Sequence, residues 1–567
     1  MIFGILIPIL LLAAIVIGVR RVSTGSISEA NRAYFLRRFF QYSLLFALLV
    51  ISNIGLSGLL TRLLEVGQSL ATDNAALARD VTFAVVGVPL LAGIAIWTRN
   101  TITKDPKETS SFAWGMFTTV ALTTSLVVSM IAVHDFLNWA ADFRDDGREP
   151  AARAIVWCAS WVALWVIKSN YCNKEQIQSS HISGSLIGLG TTVAGFVAVI
   201  TALIQNAFGF DDQALVSQGT DPTLKGLITC AVGLPVLYLY WNRGAMRSQR
   251  NTFWLAYVLL FGVGASLVAT IASASTALYQ TLVWYLGNPD STDSKIHFSA
   301  TPENVAYVLV GLTVWFYHKS VLTEELRVER NEVNRIYEYL ISGIALIAAG
   351  TGFGILIVAL IESVTGTELI TSGGAANTLL SSITLLAVGT PVWWYFWNRI
   401  QTYAHANPTV EVPTPTRRTY LFLLFGIGGV AAIVSLLTGV YYLFSDIFEG
   451  VFGTDTLRNM RYPIGILLTT GTLAAYHWSV YGAEREHMAL FKFRARSIVM
   501  VGPKDEELVE EISKRTGDRV QAWVQVDIDG RVWPKDEVLA LIEKPGDEDL
   551  LIMMNGAGLE AIPIART

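Results

Sequence analysis

The chain has 567 residues, of which 52% are hydrophobic and only 15% are charged, and its mean hydropathy is +0.47. This composition excludes an ordinary soluble enzyme and indicates a protein that uses the lipid bilayer as its solvent and partner. The formal net charge of -5, without a basic stripe, excludes a nucleic-acid partner, because phosphate binding needs a concentrated positive face.

The N-terminal stretch, residues 2–19, is apolar and is followed directly by Arg20 and Arg21. A cleavable signal peptide carries its basic residues before the apolar core. The reversed order predicts a retained transmembrane helix with its N-terminus outside the cell, followed by a cytoplasmic linker, so that residues 1–29 form a first segment.

Apolar runs long enough to cross a bilayer predict the other membrane helices in chain order. They centre near residues 36–61, 82–98, 111–139, 152–168, 181–207, 225–241, 252–286, 303–318, 335–361, 377–397, 418–445 and 462–480. With the first helix, the total is about thirteen. One of the two alternating sets of loops carries more than twice as many Lys and Arg residues as the other. The positive-inside rule therefore predicts a multi-pass cell-membrane protein with a cytoplasmic C-terminus.

Helix endings recur along the chain and indicate an internal repeat. Gly87-Val88-Pro89, Gly233-Leu234-Pro235 and Gly389-Thr390-Pro391 each precede a Trp and an Arg, at a spacing of about 150 residues. A second recurring ending lies between them, as in Phe316-Tyr317-His318. The pattern predicts three four-helix units, residues 30–175, 176–330 and 331–485, in an all-α membrane protein. Units separated by an even number of spans keep the same orientation, so the repeats are parallel.

These repeated Gly-x-Pro to Trp-Asn-Arg endings, with paired long and short helices, resemble a family of bacterial integral membrane proteins, domain of unknown function 5671. The resemblance covers roughly residues 30 to 485. It implies a membrane location and carries no activity.

The Trp, Tyr and Arg residues at the helix ends are predicted to anchor the protein at the headgroup boundary, and the repeated prolines to kink their helices. Glycines in the long helices are predicted to let helix backbones pack closely. The three cysteines show no metal-ligand spacing and are predicted to be small buried apolar residues.

Ionisable residues inside membrane spans are costly and are therefore candidates for function. Five such positions stand out: His134, Asp135, His318, Glu362 and His477. His134 and Asp135 lie toward the outer end of one helix and Glu362 ends another, whereas the other two histidines occupy equivalent cytoplasmic ends. A proton or cation relay would need several of them around one cavity, and a hydrated position at the membrane surface explains each equally well.

No nucleophile elbow, HExxH motif, Walker loop or pair of catalytic carboxylates can be read in the sequence. The sequence therefore predicts no catalytic residue, metal ligand, cofactor-binding residue or cofactor.

After Arg494 the composition becomes charged and alternating, which predicts a soluble cytoplasmic α+β domain over residues 495–567. Strands are predicted at 497–501 and 519–527, helices at 503–516 and 534–544, and a hairpin from 549–554 to 559–564.

Three functions remain open. A noncatalytic membrane scaffold or sensor, with residues 495–567 binding a cytoplasmic protein, needs no buried charge. A transporter or channel for a small solute or ion is the alternative, because repeats are common in transporters. An intramembrane enzyme acting on a lipid is a weaker third possibility.

Overall fold

The computed structural model describes residues 29–64, 74–210, 221–322, 330–365, 374–488, 497–516, 519–525, 532–542, 549–555 and 558–564. The chain divides into two compact parts, Met1–His405 with Pro415–His477, and Ala406–Thr414 with Trp478–Thr567. The predicted first helix, residues 2–19, lies outside the described residues.

Within the described ranges, twelve long helices follow one another in three groups of four. The first group is α1 (Glu29–Leu64), α2 (Asn74–Lys104), α3 (Phe112–Ala140) and α4 (Arg148–Tyr171). The second is α5 (Lys174–Phe208), α6 (Pro222–Leu237), α7 (Thr252–Leu286) and α8 (Thr301–Val321). The third is α9 (Glu332–Thr365), α10 (Gly374–Ala406), α11 (Pro415–Phe448) and α12 (Arg461–Met488). Short helical turns lie in the connections: Pro106–Ser110, Ala245–Arg247, Ser294–His297, Pro408–Glu411 and Thr454–Asn459.

Ten of these helices are long and apolar enough to cross a membrane, and with the small C-terminal α/β region they confirm the predicted helical class in its coarse form. The helices α8 and α12 are the two outside this set, because their sequences include more polar residues, among them Thr469, Thr470 and His477 in α12. The total of thirteen spans stays a prediction.

The recurring Gly-x-Pro segment makes a similar contact in each group, where its glycine packs on the first helix of that group. A methyl group added at Gly233 would lie 2.7 Å from the Thr192 backbone nitrogen, and one added at Gly389 would lie 2.7 Å from the Ala349 nitrogen. At Gly87 it would lie 3.0 Å from the Ser52 hydroxyl. Only glycine permits so close an approach of the helix axes.

The repeated prolines lie inside helices that continue past them, which is the predicted behaviour for tolerated kinks. The second group differs from the others in its backbone. The helix α6 ends in a π-helical segment, Tyr238–Asn242, and α7 contains a second one, Tyr257–Ala265. A large buried cluster, with Trp241, Trp254, Tyr257 and Ile341 among its members, forms where the second group meets the third.

The C-terminal region is a small α/β module. Its elements are β1 (Ser497–Gly502), α13 (Glu506–Thr516), β2 (Arg519–Val524), α14 (Lys535–Ile542), β3 (Asp549–Asn555) and β4 (Gly558–Ile564). The strand order is β2-β1-β3-β4, with β1 parallel to both β2 and β3, and β4 antiparallel to β3. Ile498, Met500, Leu508, Ile512 and Ile552 fill its core. Both predicted helices and the predicted hairpin are present within a few residues of their expected bounds.

Candidate ligand-binding cavity

The acidic candidate Asp135 lies in an ion-pair cluster beside the connection between α3 and α4. Its Oδ2 atom is 2.9 Å from Arg153 Nη2 and 3.3 Å from Arg144 Nη1. His134 lies 3.9 Å from the other carboxylate oxygen and contacts the Asn138 amide at 3.1 Å. Two arginines pair with this carboxylate, so the arrangement ties α3 to the connection and to the start of α4.

Glu362 is paired in a similar way, because its Oε1 atom is 3.1 Å from Arg461 Nε at the start of α12. The structure therefore places Glu362 and the pair formed by His134 and Asp135 in separate local clusters. Neither cluster lines the cavity described below.

His318 and His477 are fully buried and have equivalent surroundings in the second and third groups. In each ring, Nδ1 lies 2.8 Å from the carbonyl oxygen four residues earlier, Val314 or Leu473. A carbonyl only accepts, so Nδ1 carries the proton and Nε2 is the acceptor of the neutral ring. In the described structure neither Nε2 atom has a hydrogen-bond partner.

The two repeated tryptophans at the helix ends are also buried, which makes the predicted headgroup anchoring wrong for them. Trp241 is 1% exposed and donates from Nε1 to the Tyr317 hydroxyl at 2.8 Å. Trp397 is 2% exposed and donates to Tyr476 at 2.7 Å. The corresponding Trp97 is 46% exposed, because it follows its proline by eight residues instead of six and therefore faces outward.

A cavity of about 510 Å³ lies in the second group, between α5, α6 and α8. Its walls are mostly apolar, and they include Leu189, Phe196, Leu237, Val310 and Val314. This volume is within the range of pockets that hold small molecules. His318 is the one predicted candidate that lines it.

Three residues of the cavity lining each carry a polar atom that is sealed within the helix packing and has no hydrogen-bond partner in the described part of the chain. These atoms are Thr192 Oγ1, Tyr257 OH and His318 Nε2. A buried polar atom left unpaired costs roughly 1–3 kcal/mol, so native proteins normally satisfy such atoms with protein, water or ligand. The volume and the apolar walls of the cavity give the second group the character of a binding site.

The sequence analysis interpreted Trp241 only as a membrane anchor, and it missed Thr192 and Tyr257. The equal spacing from proline to tryptophan in the second and third groups was the available signal for Trp241, since it places both rings on the same helix face. Thr192 and Tyr257 gave no signal, because isolated Thr and Tyr residues are common in membrane helices.

A second missed feature is the buried carboxylate of Glu108, in the turn between α2 and α3. Glu108 accepts hydrogen bonds from Arg38 at 2.8 and 3.0 Å, from Arg37 at 3.0 Å and from the Tyr42 hydroxyl at 3.2 Å. Burial alone would raise its pKa, but the hydrogen bonds and positive charges of Arg38 and Arg37 outweigh burial, so the pKa of Glu108 lies below its usual value. This cluster joins α1 to the turn.

Among the described residues, no group of three His, Cys, Asp or Glu side chains is arranged to hold a metal ion. Ten helices of the described residues have the length and apolar composition that a membrane-spanning helix needs. The chain matches the family described as Domain of unknown function (DUF5671) three times, over residues 38–163, 183–313 and 335–472. These matches cover more than half of the chain, so the protein belongs to this family, and they support the predicted internal repeat. No curated protein and no solved structure matches the chain.

Proposed function

We propose that this protein is a noncatalytic membrane sensor or scaffold, in which the helical units bind an apolar ligand and the C-terminal module binds a cytoplasmic protein. The observation that carries the proposal is the 510 Å³ cavity with its mostly apolar walls. A concave site with mostly apolar walls is suited to binding an apolar ligand.

The ion pairs described above favour this function over ion transport. A cation relay needs acidic groups facing a common hydrated path, whereas the carboxylates of Asp135 and Glu362 are each held by arginine. The cavity lining also contains no Asp, Glu, Lys or Arg.

The partner-binding part of the proposal is supported by the edge of the small sheet. The strand β2 lies at one edge, and its residues Trp523 and Val524 are 66% and 59% exposed. An edge strand with large exposed apolar side chains is suited to pairing with a segment of another protein.

Photo-cross-linking in cells tests this function with the full-length chain. A photoreactive amino acid is placed at Trp523, and the matched control carries it at Glu560 on the opposite edge strand. We expect one defined protein adduct at position 523 and none at 560. Equal adducts at both positions, or none at 523, would contradict a partner-binding module.

The purified protein in liposomes tests the transport alternative. A sensor or scaffold leaves the flux of protons, sodium and potassium at the level of protein-free liposomes. A flux well above that level would overturn the proposal in favour of a transporter or channel.

A further inference from the structure

The third helix of each of the first two groups is covered by the group that follows it. Leu126 of α3 and Val232 of α6 belong to one buried cluster, and Leu259 of α7 and Ile341 of α9 belong to another. Half of the most apolar stretch of α3 and of α7 is buried, whereas only 11% of that stretch in α11 is buried. The third group is the last group in the described chain, so α11 has no following group to cover it.

The uncovered face of α11 carries the same sequence as the covered face of α7. Both helices contain Leu-Leu-Phe-Gly-x-Gly, which starts at Leu259 in α7 and at Leu423 in α11. The variable position x is Val263 in α7 and Ile427 in α11. Leu259 and Val263 are 3% and 0% exposed, whereas Leu423 and Ile427 are 50% and 67% exposed. Matching side chains are therefore buried in the second group and exposed in the third.

The last glycine of this sequence lies at the contact between α7 and α9. A methyl group added at Gly264 would lie 3.5 Å from Leu340 Cδ2 and 3.8 Å from Ile344 Cδ1. At Gly428 and Gly429 in α11, an added methyl group would have no neighbour within 4 Å in the described chain. Glycine inside a helix costs up to about 1 kcal/mol relative to alanine, and in membranes small residues allow close helix contacts. The open glycines of α11 therefore leave room for another helix backbone.

The first helix of the first group exposes a surface that α7 covers in the third group. The helices α1 and α9 can be aligned at the residues that contact the repeated glycine, Ser52 and Ala349. In this alignment Phe40 matches Tyr337, a buried member of the cluster around α7. Phe40 itself is 67% exposed. Four residues further along, the exposed Leu44 likewise matches the buried Ile341.

The second helix of the first group is exposed in the same way. Val86 and Leu90 flank its Gly-x-Pro segment and are 52% and 51% exposed. The same positions in α10 are Val388 and Val392, which are partly buried against the cluster around α7. No third helix precedes the first group within the described residues, so this apolar surface of α1 and α2 is uncovered.

From these matches we propose that copies of this chain associate head to tail, with α11 of one copy packed on α1 and α2 of the next. The contact between the second and third groups already joins the matching surfaces inside one chain. The predicted parallel repeats give both faces the same orientation across the membrane, so the contact needs no inverted copy. A face that meets only lipid has no need of the glycine-containing sequence that α7 uses for a helix contact.

Cysteine cross-linking in membranes tests the contact with the full-length chain. In a variant without the native cysteines, Gly428→Cys and Ala47→Cys are introduced into differently tagged copies, because Ala47 matches Ile344 in the alignment of α1 with α9. A short bifunctional thiosulfonate should join the two tags after co-expression. Neither variant alone should form a dimer, because a head-to-tail contact joins two different surfaces. In the matched control, Gly190→Cys, at a glycine in open space on α5, replaces Gly428→Cys and should give no adduct.

Both cysteines in one chain show how far the association extends. We expect a ladder of linked copies, which ends at a fixed size if the contacts close into a ring. Dimers of Gly428→Cys alone would show that α11 pairs with itself. A missing mixed adduct, with both cysteines fully reactive toward maleimide, would leave the two faces to lipid. An intrachain adduct between Ala47→Cys and Leu11→Cys would assign the face of the first group to the predicted N-terminal helix. Each of these last three results would overturn the proposal.

Gly428→Trp tests the contact without a cross-linker. The new ring has open space in the single chain but blocks the approach of a neighbouring helix. Single-molecule photobleaching in liposomes, at decreasing protein density, should therefore show an association constant at least about fivefold lower than that of wild type. Gly190→Trp should leave it unchanged, and both variants should keep the wild-type thermal midpoint. Equal association of the two variants, or wild-type monomers at every density, would contradict the contact.

The head-to-tail contact uses neither the cavity nor the C-terminal module, so its test is separate from those of the proposed function. A defined adduct at Trp523 without mixed dimers keeps the partner-binding module and removes the head-to-tail contact. Mixed dimers together with ion flux in liposomes keep the contact and remove the sensor or scaffold.

Discussion

Glu108 is the residue whose replacement should most clearly destabilise the first group of helices. Its carboxylate is 1% exposed and accepts hydrogen bonds from two arginines on α1. Glu108→Gln keeps the shape of the side chain and removes the negative charge. An amide also turns an N–H donor toward the guanidinium groups, which themselves only donate.

The size of the expected destabilisation depends on how far the side chains of Arg37 and Arg38 are exposed. Removing one member of a fully buried ion pair costs roughly 3–5 kcal/mol. Arg37 and Arg38 keep 34% and 25% of their side chains exposed, so water can partly solvate the charges that lose their partner. We therefore expect Glu108→Gln to lower the free energy of unfolding by about 2–3 kcal/mol.

Unfolding of the purified protein in mixed micelles with increasing SDS, followed by tryptophan fluorescence, measures this change. Trp114, one of the 16 tryptophans, lies beside the site, with its ring 5.5 Å from that of Tyr42. The matched control is Glu149→Gln in the same group, where the carboxylate is 55% exposed and 3.4 Å from Arg153. An exposed pair contributes under about 1 kcal/mol. Equal midpoints for the two variants would refute the argument.

Glu108 also determines the direction in which the free energy of unfolding changes with pH. The pKa of Glu108 is lowered in the folded protein, so the folded state binds its proton less readily than the unfolded state does. The contribution of Glu108 is then complete at neutral pH and is lost as the pH falls through the lowered pKa. We expect the difference between wild type and Glu108→Gln to shrink progressively below about pH 4.3. A difference that grows on acidification would contradict the direction of the shift.

Two further predictions concern helix packing and topology. Gly233→Ala should destabilise by about 1–3 kcal/mol, because the new Cβ would lie 2.7 Å from the Thr192 nitrogen. Gly190→Ala, which has open space at that point, should be neutral or stabilise by up to about 1 kcal/mol in the same titration. In a variant without the native cysteines, Asp146→Cys should react with a membrane-impermeant maleimide in intact cells, and Lys504→Cys only after permeabilisation. The reverse labelling pattern would contradict the predicted orientation.

The helical membrane class and the elements of the C-terminal module could be predicted from the sequence, because both depend on local properties. A run of apolar residues is costly to leave in water wherever it lies, and strands and helices differ in their period of alternation. The glycines of the repeated Gly-x-Pro endings lie at close helix contacts in the structure, because a helix crossing of this kind requires the small size of glycine.

The candidate site depended on tertiary structure, because it is built from the rotation of helices that are distant in sequence. His318 was selected because it is ionisable, but its position in the cavity wall depends on the helices that carry Tyr257 and Thr192. Neither of those two residues gave a signal in the sequence. Glu108 and Arg38 are 70 residues apart, and a charged turn next to a basic helix end is ordinary in a sequence. Local hydropathy indicates which segments are apolar enough to span a membrane. Tertiary packing decides which face of each helix is buried and which polar atoms remain without a partner.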